Sequence, residues 1–186
     1  GFDSSGSAIH GIKTDGALWG WGYGTYGQIG DSTAVTKSSP VQIGALTNWA
    51  KIVNTFYNGY GIKTDATLWA WGYGSEGYVG EGALTTRSSP VQIGTLTDWS
   101  KIFGGGTLGV VGRAFAIKTN GTLWAWGAGA YGELGDGTNV TNSSPVQVGA
   151  LADWMDIRSG GYHTLAIKTD RSLWSWGAGI AGALGF

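Results

Sequence analysis

The sequence predicts an all-β fold, a β-propeller built from four-stranded blades of about 50 residues each. The main observation is a motif, Ile-Lys-Thr-Asp/Asn followed by Leu-Trp-x-Trp-Gly, which occurs four times and begins at Ile12, Ile62, Ile117 and Ile167. Repeats of this length are typical of arrays in which each unit buries its apolar face against its neighbours. The composition agrees, because 36 glycines among 186 residues indicate short strands joined by tight turns.

Each repeat contains four strand-like segments, which in the second repeat are 49–53, 57–64, 67–71 and 90–93. The repeats form a single propeller segment, 1–186, with approximate blade units 1–48, 49–98, 99–153 and 154–186. The fourth segment of the first three repeats carries Pro40, Pro90 and Pro145. Proline suits an edge strand, because a missing N–H there removes no ladder hydrogen bond. An open β-solenoid is the alternative fold, but its rungs are normally shorter than 50 residues.

A tight turn is predicted between the second and third strands of each repeat. Asp15-Gly16 and Asn120-Gly121 favour the positive φ angles of hairpin turns, so these strands should pair antiparallel. Ala66 and Arg171 stand at the glycine position in the other two repeats and make those turns less regular.

Eight tryptophans are predicted to form the structural core. They are Trp19, Trp21, Trp69, Trp71, Trp124, Trp126, Trp174 and Trp176. Period-2 geometry places both rings of a Trp-x-Trp pair on one face of the strand, and the residue between them is always small. Large rings on one face and small side chains on the other let neighbouring sheets nest. Burial of each ring contributes up to about 5 kcal/mol before opposing terms are counted.

The composition excludes several functions. Lys and Arg number 11 against 12 Asp and Glu, and no basic cluster is present, so neither nucleic-acid binding nor attraction to an anionic membrane is expected. No apolar run approaches about 18 residues, so membrane insertion is not expected. Cysteine is absent, which excludes disulfides and thiolate metal sites.

The third repeat adds Gly-Glu-Leu-Gly-Asp-Gly-Thr at 132–138 and Pro-Val-Gln-Val at 145–148, and the fourth adds Gly-Gly-Tyr-His-Thr-Leu-Ala at 160–166. With these motifs the sequence resembles the regulator of chromosome condensation repeat family over nearly its whole length. The resemblance implies a propeller, most often of seven blades, that serves as a binding platform. Members act as nucleotide-exchange factors, enzyme inhibitors, light sensors or interaction modules. This style of repeat looks most like repeats in bacterial surface and bacteriophage structural proteins.

Seven such repeats need about 350 residues, and this chain supplies about half of them. The sequence starts and stops within a blade. We therefore expect an incomplete array of about four blades that belongs to a larger propeller, either as part of a longer chain or as an oligomer.

No catalytic, cofactor-binding or metal-binding residue is predicted. His10 and His163 occupy different repeat positions, and neither has a repeated Asp or Ser partner. The loop at Asp136 lacks the acidic series of a calcium site, so a turn is the better interpretation. The lysine that recurs in the motif, at positions 13, 63, 118 and 168, is interpreted as a solvated face or an edge guard.

Variable loops on a constant frame are the predicted binding site. Up-and-down connectivity places the first and third loops of every blade on one face. The candidate residues there are Tyr26, Gln28, Glu76, Tyr78, Leu108, Val110, Arg113, Tyr131 and Glu133. Simple drift of loop tips explains the same variation equally well.

The predicted function is therefore a non-enzymatic binding or structural module. We expect it in a virion, as a phage tail or decoration component, or on a bacterial surface. Its partners would be protein subunits of a larger assembly or a surface glycan or receptor. The alternative is a regulatory propeller, of the exchange-factor or inhibitor type, within a larger soluble protein.

Overall fold

A computed structural model describes residues 2–3, 7–106 and 112–185. This part of the chain consists of fifteen short strands and one 3-10 helix, Ile180–Gly182. The strands are β1 (Phe2–Asp3), β2 (Ala8–Ile12), β3 (Leu18–Gly22), β4 (Lys37–Gln42), β5 (Trp49–Asn54), β6 (Asn58–Lys63), β7 (Leu68–Gly72), β8 (Arg87–Gln92), β9 (Trp99–Gly105), β10 (Arg113–Lys118), β11 (Leu123–Gly127), β12 (Asn142–Gln147), β13 (Trp154–Ser159), β14 (His163–Lys168) and β15 (Leu173–Gly177).

The strands form four blades in which sequential strands pair antiparallel. Blade 1 is β1 to β4, blade 2 is β5 to β8, blade 3 is β9 to β12, and blade 4 is β13 to β15. One parallel pair, Ser159 with Gly105, joins the first strands of blades 3 and 4. The first strands of neighbouring blades are thus the ones that meet near the axis. The prediction of an all-β propeller with an incomplete set of four-stranded blades is confirmed.

The turn between the second and third strands of each blade is a three-residue hairpin connection. In blade 1 the N–H of Gly16 donates to the carbonyl of Lys13 over 3.0 Å, and Gly16 adopts a φ of 82°. Ala66 and Arg171 keep the same turn with φ values of 60° and 71°. The antiparallel pairing predicted from these turns is confirmed in all four blades. At the two positions without glycine, the ladder holds an unfavourable left-handed conformation in place.

Neighbouring blades pack a tryptophan face against a leucine face. Leu18 on the third strand of blade 1 lies in one apolar cluster with Trp49 and Trp71 of blade 2. On this strand Leu18 and Gly20 share one side, and the two tryptophans share the other. Each blade therefore offers its tryptophan face to the preceding blade and its leucine face to the following one, as the small residue between the rings predicts.

The second tryptophan of each Trp-x-Trp pair in blades 2 to 4 also packs against a loop of the preceding blade. Trp71 Nε1 donates over 2.9 Å to the carbonyl of Gln28, and Trp176 Nε1 donates over 2.9 Å to the carbonyl of Glu133. At the middle junction the Tyr60 hydroxyl donates to the equivalent carbonyl, that of Tyr78, over 2.7 Å. The buried N–H of Trp126 has no hydrogen-bond partner in the described chain.

Seven of the eight predicted core tryptophans are buried or partly buried. Trp71 and Trp126 are fully buried, and Trp19, Trp21, Trp69, Trp124 and Trp176 are partly buried. Trp174 is 45% exposed, and for this ring the core prediction is wrong. The physical reason is that no described strand follows β15 to cover the ring, as β8 and β12 follow the equivalent strands.

The recurring lysine is exposed in blade 1, at Lys13, but in the other three blades the interpretation as a solvated face is wrong. Lys63, Lys118 and Lys168 are all buried. Each Nζ lies over the first ring of the Trp-x-Trp pair in its own blade. The Nζ of Lys63, for example, lies 3.4 Å from the ring centroid of Trp69. Burial between indole faces replaces part of the lost hydration through cation–π attraction. In blade 3 the ammonium of Lys118 also lies 3.3 Å from Asp98.

Candidate functional site

The first and third loops of the blades lie together on one face of the molecule. This loop face comprises residues 23–36, 55–57, 73–86, 128–141, 160–162 and 178–185. Backbone hydrogen bonds connect the first loop of a blade to its third loop. The N–H of Tyr73, for example, donates to the carbonyl of Tyr57 over 3.1 Å. Side chains from different blades therefore meet here at fixed positions.

A tyrosine cluster covers the loop face where blades 1 and 2 meet. The ring of Tyr26 lies 5.2 Å from Tyr57 and 5.3 Å from Tyr73, both in edge-to-face geometry. Tyr23 and Phe56 extend the cluster at 6.4 Å from Tyr26 and 4.6 Å from Tyr57 respectively. Tyr26 is 39% exposed, so the cluster presents aromatic rings and hydroxyls to solvent.

A second tyrosine pair occupies the equivalent place where blades 3 and 4 meet. Tyr131 and Tyr162 stand at the repeat positions of Tyr26 and Tyr57, and their rings lie 4.9 Å apart, again edge to face. Tyr131 is 56% exposed. The same arrangement thus recurs two junctions apart on the loop face.

The junction between blades 2 and 3 carries different chemistry. Glu76 takes the position of Tyr26 and is exposed, and Gly112 takes the position of Tyr57. The Tyr78 hydroxyl donates to the Glu76 carboxylate, while burial raises the pKa of Tyr78 above its ordinary range. The predicted binding residues Leu108 and Val110 lie outside the described residues. An acidic group therefore separates the two tyrosine sites.

The tyrosine-bearing loops are held by side chains beneath them. The Gln28 carboxamide oxygen accepts from the N–H of Tyr26 over 2.8 Å, and the Glu133 carboxylate accepts from the N–H of Tyr131 over 2.7 Å. Both Gln28 and Glu133 are buried. The loop tips are thereby fixed before any partner arrives, which lowers the entropy lost on binding.

Arg113 is a scaffold residue, although its position on the loops made it a binding candidate. It is fully buried and donates to the carbonyls of Gly160 and Gly161 over 2.9 and 2.6 Å. Its guanidinium also lies 3.3 Å from the Glu133 carboxylate. Burial lowers the pKa of Arg113, and the charge of Glu133 opposes that shift. The pair fastens blade 4 to blade 3.

The structure therefore divides the nine predicted binding residues. Tyr26, Glu76 and Tyr131 are exposed on the loop face, where binding stays a prediction. Gln28, Tyr78, Arg113 and Glu133 are buried, so a direct contact of these four side chains with a partner is corrected to a supporting role. Each of these four side chains makes hydrogen bonds to neighbouring protein groups, although Arg113 Nε has no partner among the described residues.

Sequence reasoning missed Tyr23, Tyr57, Tyr73 and Tyr162. The available signal was the topology, because the first loop of a blade shares its face with the third loop of that blade. Aligning the repeats places Tyr57 and Tyr162 at one position in those first loops, with Ser7 and Gly112 in the other two blades.

Among the described residues, no group of three or more His, Asp or Glu side chains is arranged to hold a metal ion. His10 is fully buried, with Nδ1 2.8 Å from Asn54 Oδ1 and Nε2 2.9 Å from the carbonyl of Ile29. No helix in the described chain has the length and apolarity to span a bilayer.

Repeat propellers of a known family share this architecture. The family model described as the regulator of chromosome condensation (RCC1) repeat matches residues 15–54 and 120–167. These two segments carry the repeat of this family, as the sequence motifs indicated. No curated protein matches the sequence.

Solved structures show the same fold. The chain is similar to Prp20p of Saccharomyces cerevisiae, with 17% identity and a TM-score of 0.84 over 100% of this chain and 46% of that one. It is similar to the same yeast protein bound to Kap60, with 18% identity and a TM-score of 0.83 over 100% and 45%. For human WBSCR16 the identity is 16% and the TM-score 0.77, over 92% and 45%. This chain thus spans about half the length of these propellers, and at such identities the likeness shows the fold.

Proposed function

We propose that this protein is a non-enzymatic interaction module whose loop face binds a protein partner through the two tyrosine sites. Tyr26, Tyr57 and Tyr73 form the first site, and Tyr131 and Tyr162 form the second. Tyrosine is favoured at binding surfaces because its ring supplies apolar contact area, loses little side-chain entropy and ends in a hydroxyl.

The observation that carries the proposal is the exposure of clustered rings on loops that are already rigid. Tyrosines that face solvent do not contribute to packing between the blades of a propeller. Exposed aromatic patches often mark interaction sites. The buried supports at Gln28 and Glu133 leave the rings fixed in place. Preorganised aromatic anchors are typical of binding hot spots.

The relatives support a protein as the partner. One solved structure shows Kap60 bound to the yeast RCC1 protein, and another describes the binding of Prp20p to Gsp1p and histones. These statements concern the yeast protein, which is about twice as long as this chain. They favour protein binding as the common use of the fold.

The experiment uses a displayed library of random peptides, selected against the immobilised chain. We expect selected peptides to lose at least about tenfold in affinity when Tyr26 and Tyr131 are both replaced by serine, because each ring removes buried contact area. Leu46→Ser is the matched control, since Leu46 is exposed on the opposite side, in the linker between blades 1 and 2. Thermal unfolding of each variant checks that the fold is intact.

The proposal fails if selected peptides bind the double tyrosine variant and the wild type equally. It also fails if Leu46→Ser weakens binding as much as the tyrosine changes do. A glycan array, probed with the same proteins, tests the other partner class. Glycan binding that depends on Tyr26 and Tyr131, with no peptide binding, would replace a protein partner by a surface glycan.

A place in a virion or on a bacterial surface remains our proposal for the setting. Its support is the style of the repeat, with paired tryptophans and Ser-Ser-Pro-Val-Gln-Ile. The solved neighbours favour the second candidate, a regulatory propeller that binds one soluble protein. The native mass of the protein in its source separates the two, because a virion or surface component copurifies in a large symmetric assembly.

A further inference from the structure

A cavity of about 210 Å³ lies where blades 1 and 2 meet. Its main lining residues are Ser32, Trp49, Lys63, Trp69, Ser89 and Pro90. Leu46, which is 51% exposed, also lines the cavity, so the cavity is open to solvent. Its volume is that of about seven waters, which suits a ligand with a single ring. None of the tyrosines of the loop face takes part.

Lys63 places a positive charge at the wall of this cavity. Only 4% of the residue is exposed, and its Nζ lies 3.4 Å from the ring centroid of Trp69. Among the described residues no carboxylate lies within ion-pair distance of this Nζ, and the exposed Asp65 acts on it only from farther away. Burial lowers the pKa of Lys63 from its ordinary value of 10.5, and the charge of Asp65 opposes the shift. A buried ammonium without a counter-ion is costly, so an anion beside it would be stabilised.

The equivalent lysines of blades 3 and 4 have the counter-ion that Lys63 lacks. The pairs are Lys118 with Asp98 at 3.3 Å and Lys168 with Asp153 at 3.5 Å. Asn48 stands at the aspartate position in blade 2. Its backbone carbonyl accepts from the Thr64 N–H over 2.8 Å, as the aspartate carbonyls do in their own blades. An amide can accept a hydrogen bond from an ammonium, but it cannot neutralise the charge.

Two serines bring hydroxyl groups to the cavity from both blades. Ser32 Oγ of blade 1 lies 3.1 Å from Ser89 Oγ of blade 2. The equivalent cavity between blades 2 and 3 is lined by Glu81, which is paired with Arg87, and Gly82 stands at the position of Ser32. Of the two cavities, the one between blades 1 and 2 is therefore the one suited to an anion.

We propose that this cavity binds a small hydroxylated carboxylate of the uronic acid class, with its carboxylate on the Lys63 ammonium and its hydroxyls on Ser32 and Ser89. The sugar ring would pack against Trp69 and Pro90. Sugar hydroxyls and serine hydroxyls can each donate and accept, so they can pair with one another. A neutral sugar would leave the ammonium without a counter-ion, and an acid without hydroxyls would make no use of the serines.

Titration of the 186-residue chain with sodium glucuronate, followed by NMR on tryptophan labelled with ¹⁵N, measures the binding. We expect a Kd of about 1 mM, which is ordinary for a ligand of this size. The indole signals of Trp49 and Trp69 should shift. Those of Trp99 and Trp124, which line the equivalent cavity, should not. Sodium chloride at equal ionic strength is the blank. Glucose should bind at least about tenfold more weakly, because it lacks the charge.

Asn48→Asp should weaken glucuronate binding by at least about tenfold, because it gives Lys63 the counter-ion found in blades 3 and 4. Asp98→Asn is the matched control. It makes the reverse exchange at the same position of the next blade and should leave the Kd for glucuronate unchanged. Lys63→Met keeps the length of the side chain without its charge and should also lose binding. Circular dichroism checks the fold of each variant, and if one does not fold, the other decides.

Equal Kd values for Asn48→Asp and the wild type would overturn the proposal. So would unchanged Trp49 and Trp69 signals at about 50 mM glucuronate, or glucose binding as tight as that of glucuronate. N-acetylalanine, a carboxylate without hydroxyls, tests the assigned class. If it binds as tightly as glucuronate, the assignment to uronic acids is wrong.

Discussion

Buried polar residues that differ between repeats are the most informative single positions. At one position of the second strand the four blades carry His10, Tyr60, Phe115 and Leu165. The frame tolerates these changes because His10 and Tyr60 each find partners in the adjoining third loop or blade. Aligning the repeats shows that the residue at this position changes from blade to blade. The alignment does not show whether the polar groups of His10 and Tyr60 find hydrogen-bond partners, since those partners come from other segments of the chain.

His10 should make stability depend on pH above the range where carboxylates titrate. Burial lowers the pKa of His10 below its ordinary value of 6.5, while hydrogen bonds to Ile29 and Asn54 and the charge of Asp3 oppose the shift. The unfolded chain therefore binds the proton more readily than the folded one. The free energy of unfolding should fall as the pH drops below about 6.5, by up to about 1.4 kcal/mol per pH unit, until the lowered folded pKa is reached.

Urea unfolding between about pH 5 and pH 7.5 measures this dependence. His10→Phe is the matched variant, because Phe115 fills the same position in blade 3. It should flatten the profile between pH 5 and 6.5, and His163 remains in both proteins as an internal control. Identical slopes for variant and wild type would rule out His10 as the cause.

Ala17→Thr should stabilise the protein by about 1 kcal/mol. In blade 2 the first tryptophan of the Trp-x-Trp pair, Trp69, donates its N–H to the Thr67 hydroxyl over 2.8 Å. Blades 3 and 4 have the equivalent hydrogen bond. Blade 1 has Ala17 at that position, and the buried N–H of Trp19 has no partner in the described chain.

Thermal or urea unfolding of Ala17→Thr is compared with that of Ala17→Val. Valine has the same shape but no hydroxyl, so the difference between the two variants isolates the hydrogen bond. Equal stability of the threonine and valine variants would show that the indole N–H gains nothing from the hydroxyl.

Among the elements, the hairpin turns and the third strands follow most directly from sequence. The Trp-x-Trp strand was predicted with its faces correctly assigned, because alternation depends only on local geometry. The antiparallel turns followed from Asp-Gly and Asn-Gly. The burial of Lys63, Lys118 and Lys168 was not predicted. It depends on the stacking of two tryptophans around each ammonium, which is a tertiary arrangement.

Arg171→Gly should raise the free energy of unfolding by about 0.5–1 kcal/mol. Arg171 adopts a φ of 71° in the turn before β15, a conformation that costs an L-residue about 1–2 kcal/mol and glycine very little. The greater freedom of glycine in the unfolded chain offsets part of the gain.

Gly121→Ala at the equivalent turn of blade 3 is the opposite control. It should destabilise the protein, because Gly121 has a φ of 81° and an added Cβ would collide with the carbonyl of Ala152. Urea unfolding of both variants is the measurement. A loss of stability in Arg171→Gly would contradict the account of the turn.

For the whole molecule, the period of the repeat predicted the architecture. The residues that differ between repeats decide which side chains the loop face exposes. Sequence reasoning placed Tyr26, Glu76 and Tyr131 on that face, and they are exposed there. It could not separate them from Gln28 and Glu133, which belong to the same loops but point inward. Exposed and buried loop positions are distinguished only when the adjoining blade is in place.

The central claim is that the second tryptophan of each Trp-x-Trp pair packs into a loop of the preceding blade. Hydrogen exchange of the indole N–H groups, followed by NMR on tryptophan labelled with ¹⁵N, tests this claim most directly. Trp71 is fully buried and donates to the carbonyl of Gln28, so its N–H should exchange at least about 100-fold more slowly than that of the half-exposed Trp174. Exchange of both protons at the same fast rate would contradict the account.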